Sequence, residues 1–418
     1  MLQICRQFFL SCCSALIYYV SSDGAPFRLA HINVEKVPHT HVMRERTPLL
    51  SSRKDLVKGS RANHDHVHEV TFVIRQKNMD ELTNILHDLS DPLSPNYGQH
   101  WSREAVTDFT GNPESCNATV TYLNSIGALM ISESVGEYIT ANASIAVWEK
   151  MLNTQFFTFY QTKQDKRVTQ MVRAEKYYIP IDLDSHVESA FNTIQMPIES
   201  RSSISETPKR NKKLPSAKDI ASYTKIGSIT PAKIMSYYNM SSTVKGSNFS
   251  TQAVYSSAAQ YYSPSDLKAF QISYGITPQT AFSIGNHNND TMCQYFPGNC
   301  AEGNSDIQYI MGISQGSPST FWEIPYSFSY FLRTIASYAN PPLVVSISYG
   351  FNEESVSKAE FNNFNSNAIK LAIIGVTIVV ASGDSGAGYC AYTPVFPASS
   401  PYVTSVGATG VSIVHVLF

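Results

Sequence analysis

The segment LVVSISYG (343–350) is followed by FNEESVSKAEFNNFNSNAIKLAIIG (351–375) and then by VTIVVASGDSGAG (376–388). The runs Leu343–Ile347 and Val376–Ala381 are almost entirely apolar, which is typical of strands buried on both faces. The segment from Glu353 to Ile374 predicts a helix between them. This order predicts an α/β fold with a parallel sheet covered on both faces. Ligands of such sheets bind beyond the carboxyl ends of the strands, where Ser382–Gly388 follows.

The region from His68 to Tyr160 has a different pattern, which predicts a small α+β unit. Apolar residues alternate as in a strand, and further apolar residues then recur at helical spacing behind a possible Asn78 cap. We also expect a helix from Ser102, strands at 128–133, 137–141 and 155–160, and a helix at 144–152. The β-α-β-β-α-β order predicts a ferredoxin-like sandwich.

The segment SRSSISETPKRNKKLPS (200–216) loses the apolar pattern and predicts an exposed linker. Its basic cluster at 209–213 is either a processing site or a solvated run of charge. The whole chain has 418 residues, 43% of them hydrophobic and 15% charged, with a formal net charge of -2. This length predicts more than one domain, and this charge gives no electrostatic reason to bind nucleic acid.

The amino terminus has the pattern of a secretory signal. Arg6 precedes the apolar run Phe8–Val20, and small residues follow at Ser21 and Ser22. The alternative is a buried N-terminal helix. The run is too short to span a bilayer as a permanent helix, so we expect no membrane anchor.

The cysteines and glycosylation sequons agree with passage through the secretory pathway. Cys293 and Cys300 flank a Pro-Gly turn that an oxidising compartment could close as a disulfide, although two unrelated thiols would fit as well. Five N-x-S/T sequons begin at Asn117, Asn142, Asn239, Asn248 and Asn289. A lysosomal or extracellular location is therefore expected.

The glycine-rich turn at 382–388 has two interpretations. One takes Ser385 as a nucleophile, because GDSG surrounds the serine of chymotrypsin-like enzymes, but no Ala-Ala-His-Cys-like segment supplies a histidine base. The α/β-hydrolase pattern G-x-S-x-G also fails, because Ala387 occupies the position of the second glycine. The other interpretation makes Asp384 the functional residue, which requires partners elsewhere in the chain.

Glu302 and Asp306 are the candidate partners. They lie four residues apart in AEGNSDIQYIM (301–311), so on a helix their side chains share one face. Two like charges one turn apart repel each other. By itself the pair is weak evidence and fits a solvated helix face better than an active site.

The combination of motifs resembles the serine-carboxyl peptidases called sedolisins. These motifs are E-x-x-x-D at 302–306, S-Y-G at 348–350, SGDSGAG at 382–388 and FPASSPYVTSVGAT at 396–409. Upstream, SDPLSPNYGQHWS (90–102) resembles the activation prodomain of the same family. The resemblance implies a signal peptide at 1–22, a prodomain at 23–199, a linker at 200–228 and a partial peptidase domain with a subtilisin-like sheet at 229–418.

The resemblance also implies a role for each matching residue. Glu302 matches the general base, Asp306 the carboxyl that orients it, and Asp384 the acid of the oxyanion hole. A protonated Asp384 and an ionised Glu302 must coexist, which favours activity at acid pH. The strand end at Ser348, Tyr349 and Gly350 is expected to pair with the peptide substrate, although an ordinary turn would fit too.

The sequence departs from the family pattern in one respect. The family's nucleophile lies in an S-G-T-S-A motif that the 418 residues do not contain, and its calcium loop lies in the same region, so no cofactor is expected in this chain. We expect a truncated gene model or splice product. Cys390 resembles a family cysteine with a downstream partner; a free thiol or pairing with Cys116 remains open.

Three functions follow from these patterns. The first is an acid peptidase precursor inhibited by its own prodomain and acting on peptides or proteins, with tripeptidyl-peptidase or endopeptidase activity. The second is an inactive form that binds peptides or inhibits a related protease. The third is chymotrypsin-like hydrolysis through Ser385.

Overall fold

The structure is a computed structural model that describes residues 40–47, 53, 55–134, 136–162, 168–196, 229–241, 245–256, 260–285, 288–324, 327–384 and 394–408. The predicted signal, the linker, Ser385 and Cys390 lie outside these residues.

Three of the described helices of the N-terminal half form where the sequence predicts them, and α3 is an additional helix that was not predicted. Helix α1 buries one face of leucines, and it follows Asn78, whose side chain makes no capping hydrogen bond. The predicted start at Ser102 is confirmed, because its hydroxyl accepts a hydrogen bond from the Ala105 amide. The ranges are α1 Met79–Ser90, α2 Arg103–Thr110, α3 Pro113–Ser125 and α4 Ile145–Met151.

The strands of this half form a four-stranded antiparallel sheet, a three-stranded sheet and one further strand pair. The four-stranded sheet has the order β4-β5-β3-β9, the three-stranded sheet β2-β6-β7, and β1 pairs with β8. The ranges are β1 His41–Arg46, β2 Leu56–Arg61, β3 Val67–Ile74, β4 Leu129–Ser134, β5 Tyr138–Ser144, β6 Phe156–Thr162, β7 Val168–Ala174, β8 Lys176–Pro180 and β9 Val187–Phe191.

One strand of the predicted sandwich lies in a different sheet from the one expected. The strand expected at 155–160 forms as β6, but it pairs with β2 and β7 instead of joining the sheet of β3. The fourth place in that sheet is taken by β9, which pairs antiparallel with β3. The reason is that both edges of β6 are already paired. The β6–β7 hairpin, whose ladder runs from Phe156 to Thr162, occupies one edge, and β2 occupies the other.

The C-terminal half contains the predicted parallel sheet. Its order is β11-β12-β10-β13-β15-β17, and every pairing within it is parallel. The strands predicted at 343–347 and 376–381 are confirmed as the neighbours β13 and β15. The ranges are β10 Gln252–Ser256, β11 Phe282–Ile284, β12 Ser319–Glu323, β13 Val344–Ile347, β15 Thr377–Ala381 and β17 Thr404–Val406, with a separate antiparallel pair β14 Phe351–Asn352 and β16 Val395–Phe396.

Helices cover both faces of this sheet. One face buries Val254 and Phe321 together with Leu267 and Ile307 of two helices, and the other buries Tyr255, Trp322 and Val345 with aromatic residues of two more. The predicted helix at 353–374 is confirmed in its main part, after a short 3-10 turn at Glu353–Ser355. The ranges are α5 Pro231–Tyr237, α6 Pro264–Ser273, α7 Asp290–Tyr295, α8 Ala301–Ile313, α9 Phe328–Ser337 and α10 Lys358–Ile373.

The strand order places a crevice between β10 and β13. The chain leaves β10 toward β12 and β11 and leaves β13 toward β15 and β17, so the two connections diverge at this point. The carboxyl ends of strands at such a switch point are where ligands of α/β proteins bind. Ser348 follows β13 at this crevice.

The N-terminal half packs against α10. Leu82, Leu86 and Leu89 of α1 share a buried cluster with Ile369 and Ile373. Polar contacts accompany this apolar cluster along the helix. The Ala359 amide at the start of α10 donates a hydrogen bond of 3.0 Å to Glu45, and near the other end Lys370 Nζ lies 2.7 Å from Glu137 Oε1.

A tyrosine lies between these two ends. The Tyr138 hydroxyl accepts hydrogen bonds from Nδ2 of Asn363 (3.0 Å) and of Asn367 (2.9 Å). The Arg333 guanidinium carbon lies 4.6 Å from the centroid of its ring. Because the tyrosine is only 4% exposed, these contacts are shielded from water and fix the position of the N-terminal half on α10.

Candidate active site

Helix α8 carries both candidate carboxyls, and its first turn is packed closely against the segment between β10 and α6. A Cβ at Gly303 would overlap the Tyr261 carbonyl oxygen, so only glycine fits there. The neighbouring Asn304 accepts a hydrogen bond of 2.8 Å from the Ser263 amide at the start of α6. The first turn of α8 is therefore fixed relative to the sheet and to α6.

The disulfide that the spacing left open is present. Cys293 of α7 is bonded to Cys300, the residue that immediately precedes α8. Both residues are buried, at 8% and 1% exposure. The bond closes the short turn at Pro297–Asn299 and brings the end of α7 to the start of the helix that carries Glu302.

Asp306 has a hydrogen-bond partner that sequence reasoning missed. The Ser348 hydroxyl donates a hydrogen bond of 2.9 Å to Asp306 Oδ1. Burial raises the pKa of the Asp306 carboxyl to about 8, and the nearby charge of Glu302 adds to the rise, whereas the bond from Ser348 opposes it. Asp306 is therefore a carboxyl that keeps its proton from acid to neutral pH.

The second oxygen of Asp306 is consistent with this protonation state. Among the described residues, none forms a hydrogen bond to the buried Oδ2 atom. A proton on Oδ2 makes that atom a donor, and Glu302 lies one helical turn away, at a Cβ separation of about 6 Å. Because like charges at this distance do not both ionise readily, the pair favours a state in which only one of the two carboxyls is charged.

Tyr349 forms the buried wall beside this pair. It is 6% exposed, and its ring contacts Tyr255 edge to face at a centroid distance of 5.7 Å. Burial raises the pKa of Tyr349 well above its usual value, and the charges of Asp306 and Glu302 add to this rise. The phenol therefore stays neutral at every pH at which the carboxyls titrate.

Asp384 leaves the same edge of the sheet from the neighbouring strand. Ile347 at the end of β13 pairs with Val380 of β15, and these neighbouring parallel strands lie about 4.8 Å apart. Ser348 and Asp384 therefore follow the carboxyl ends of adjacent strands. Asp384 is exposed, in a turn beyond Ala381. The structure thus brings Glu302, Asp306 and Ser348 together and places Asp384 on the same edge.

The three residues of the S-Y-G motif differ in their surroundings. Ser348 bonds to Asp306 and Tyr349 is buried, whereas Gly350 is exposed and lies against the β16 segment. A Cβ on Gly350 would lie 3.0 Å from the Phe396 carbonyl oxygen. Their assignment as a substrate-binding edge stays a prediction.

Within the described ranges, no group of three or more histidine, cysteine, aspartate or glutamate side chains is arranged to hold a metal ion. The same part of the chain contains no helix with the length and apolar character needed to cross a bilayer.

Comparisons with known proteins identify an activation domain and several homologues. Residues 54–195 match the model of the pro-kumamolisin activation domain. The chain is 30% identical to human tripeptidyl-peptidase 1 over 387 residues, which is 87% of this chain and 66% of that protein. It is 27% identical to the mouse protein over 363 residues and 29% identical to that of Dictyostelium discoideum over 378 residues; each match covers 81% of this chain and 61% of the relative.

A solved structure, Pseudomonas sedolisin complexed with two molecules of pseudo-iodotyrostatin, aligns with a TM-score of 0.33 and 20% identity over 42% of this chain and 52% of that chain. No conclusion about this chain follows from overlap at that level. The chain spans slightly less than two thirds of the length of the tripeptidyl-peptidases it matches. The chain is therefore a homologue of tripeptidyl-peptidase 1 that carries a pro-kumamolisin activation domain at residues 54–195.

Proposed function

We propose that this chain is the precursor of an acid-acting serine-carboxyl peptidase that releases short peptides from the amino termini of its substrates. The observation that supports the proposal best is the buried Asp306 carboxyl, which Ser348 holds one turn from Glu302 at the switch point of the sheet. In this proposal Glu302 is the base that takes the proton from a serine hydroxyl, and Asp306 orients it.

Asp384 is proposed as the oxyanion-hole acid. A carboxyl donates a hydrogen bond to a developing oxyanion only when protonated, whereas Glu302 accepts a proton only when ionised. Ordinary carboxyl pKa values of about 4 place the overlap of these two states at acid pH. Asp384 is exposed to water, whereas Asp306 is buried. These different environments suit different roles for the two carboxyls.

The serine nucleophile is implied only by the resemblance. Its S-G-T-S-A motif does not occur in the 418 residues, so the proposal assigns only the carboxyl roles to residues of this sequence. The second candidate is an inactive product that binds peptides or inhibits a protease. The chymotrypsin-like interpretation is weaker, because it requires an antiparallel barrel and the sheet that precedes Ser385 is parallel.

The N-terminal half is proposed as the inhibitor of the peptidase domain in cis. Its contacts with α10 support this role, since Glu45, Tyr138 and Glu137 each bond to that helix. We propose that maturation removes this half in a lysosomal or extracellular compartment. No cofactor is proposed for the chemistry of this chain.

The test is turnover of a tripeptide aminomethylcoumarin substrate across acid and neutral pH, with the secreted 418-residue protein and with the product of a longer transcript if one exists. We expect a maximum at acid pH and a loss of about 10²-fold or more for Glu302→Gln. Glu354→Gln, which alters an exposed glutamate on another element, is the matched control and should leave turnover unchanged.

Two results separate the candidates. Turnover by either protein that vanishes in Glu302→Gln supports the peptidase. No turnover by either protein, combined with saturable binding of a labelled peptide, supports the inactive form. A pH maximum near neutrality contradicts the proposed carboxyl roles in either protein.

A further inference from the structure

Helix α8 begins differently from the other helices that pack on the parallel sheet. The helices α6, α9 and α10 each begin with a serine whose hydroxyl accepts a hydrogen bond from a backbone amide of the first turn. Cys300 occupies the corresponding place in α8 and makes no side-chain capping bond. The helix that carries Glu302 and Asp306 therefore lacks the polar cap that fixes its neighbours.

A covalent bond occupies this place instead. Cys300 is tied to Cys293 in the last turn of α7, and α7 is itself fixed at its start. The Asn289 side chain accepts a hydrogen bond from the Met292 amide, and Asp290 accepts one of 2.6 Å from the Ser263 hydroxyl. The disulfide thus joins the start of α8 to a segment that is anchored on α6.

We propose that the Cys293–Cys300 disulfide is a positioning device for Glu302, which holds the first turn of α8 so that Glu302 stays in register with Asp306 and the sheet edge. The inference rests on the proposed roles of these two carboxyls. Glu302 lies two residues beyond Cys300, whereas Asp306 lies deeper in the helix and is held separately by Ser348. The contacts of Gly303 and Asn304 with the segment before α6 follow Glu302 in the chain, so loss of the bond frees the glutamate before it frees the aspartate.

The device is sensitive to reduction. A dithiol such as dithiothreitol attacks one sulfur of the pair and then closes to its own cyclic disulfide, which leaves two protein thiols and consumes one dithiol. Both cysteines are buried, so the reaction requires local opening of the turn at Pro297–Asn299. Reduction should loosen the start of α8 and separate Glu302 from Asp306 while the sheet stays folded.

The first measurement follows the Asp306 proton directly. An infrared titration of the secreted full chain should contain a protonated-carboxyl C=O band that Asp306→Asn removes and that titrates with a pKa of about 8. In the double variant Cys293→Ala/Cys300→Ala, and in the reduced wild type, the midpoint should fall by about one pH unit because the like charge of Glu302 moves away. This readout does not depend on turnover, so it stands apart from the test of the peptidase activity.

The second measurement is hydrogen exchange. Amides of residues 296–306 should exchange faster in the reduced protein, whereas those of α2 and α3 in the N-terminal half should be unchanged. Gly298→Ala is the matched control, because it lies in the same turn and has open space around the added methyl group. It should leave the exchange of these amides unchanged. An unchanged Asp306 midpoint with the bond removed overturns the proposal. Global unfolding on reduction also overturns it, because the bond would then be a general staple.

Discussion

Removal of the Tyr138 hydroxyl tests how the N-terminal half is held on α10. In Tyr138→Phe the ring, its packing and its contact with Arg333 remain, while the acceptor of two hydrogen bonds is lost. Asn367 Nδ2 keeps a second bond of 2.7 Å to the Asn363 carbonyl oxygen. Asn363 Nδ2 makes only the bond to Tyr138 among the described residues. The substitution therefore leaves one buried donor unsatisfied.

An unsatisfied buried donor costs about 1–3 kcal/mol. We expect the free energy of unfolding of the full chain to fall by that amount, measured as a lower urea midpoint with an unchanged slope. Tyr160→Phe is the control, because that ring is 38% exposed on the N-terminal half, and it should change stability by less than about 0.5 kcal/mol.

A double-mutant cycle identifies the cause. Asn363→Ala alone should destabilise, and Tyr138→Phe added to it should cost much less than in the wild type, with a coupling of about 1 kcal/mol or more. Equal stability of Tyr138→Phe and the wild type, or additive effects in the cycle, would refute the view that this hydroxyl fixes the two halves together.

Two further predictions concern α8. Burial raises the pKa of Asp306 to about 8, so the folded state binds this proton more tightly than the unfolded state does. The contribution of the bound proton to stability is therefore complete below about pH 4 and is lost as the pH rises from there to about 8. The free energy of unfolding of Asp306→Asn relative to that of the wild type should therefore be higher at about pH 9 than at about pH 5, by on the order of 1.4 kcal/mol for each pH unit between the folded and unfolded pKa values. Denaturation curves at about pH 5 and about pH 9 measure this, and the same difference between variant and wild type at both would contradict it. Gly303→Ala should lower the free energy of unfolding by about 1–3 kcal/mol, because its methyl group meets the Tyr261 carbonyl, whereas Gly298→Ala has open space and should change little; equal melting temperatures would contradict the close approach.

The parallel sheet and its main helix could be predicted because their signals are local. The strands β13 and β15 are continuous apolar runs, and the helix between them buries residues at helical spacing. The position of Glu302 and Asp306 on one face of a helix also follows from their spacing alone.

The remaining contacts are set by residues distant in sequence. Strand β6 pairs with β2 and β7, although the length and alternation of β6 fit the sheet of β3 equally well. Ser348 and Asp306 are 42 residues apart on different elements, so neither motif indicates their hydrogen bond. Tyr138 and Asn363 are 225 residues apart, and nothing in an isolated tyrosine indicates a role between two halves of a chain.

Helix α10 has two buried sides, and this limits how the protein can evolve. Phe364, Ala368 and Leu371 pack toward the parallel sheet, while Ile369 and Ile373 pack toward the leucines of α1. A substitution that improves one contact must also be tolerated by the other. Separation of the two halves would expose the side of α10 that carries these isoleucines to water.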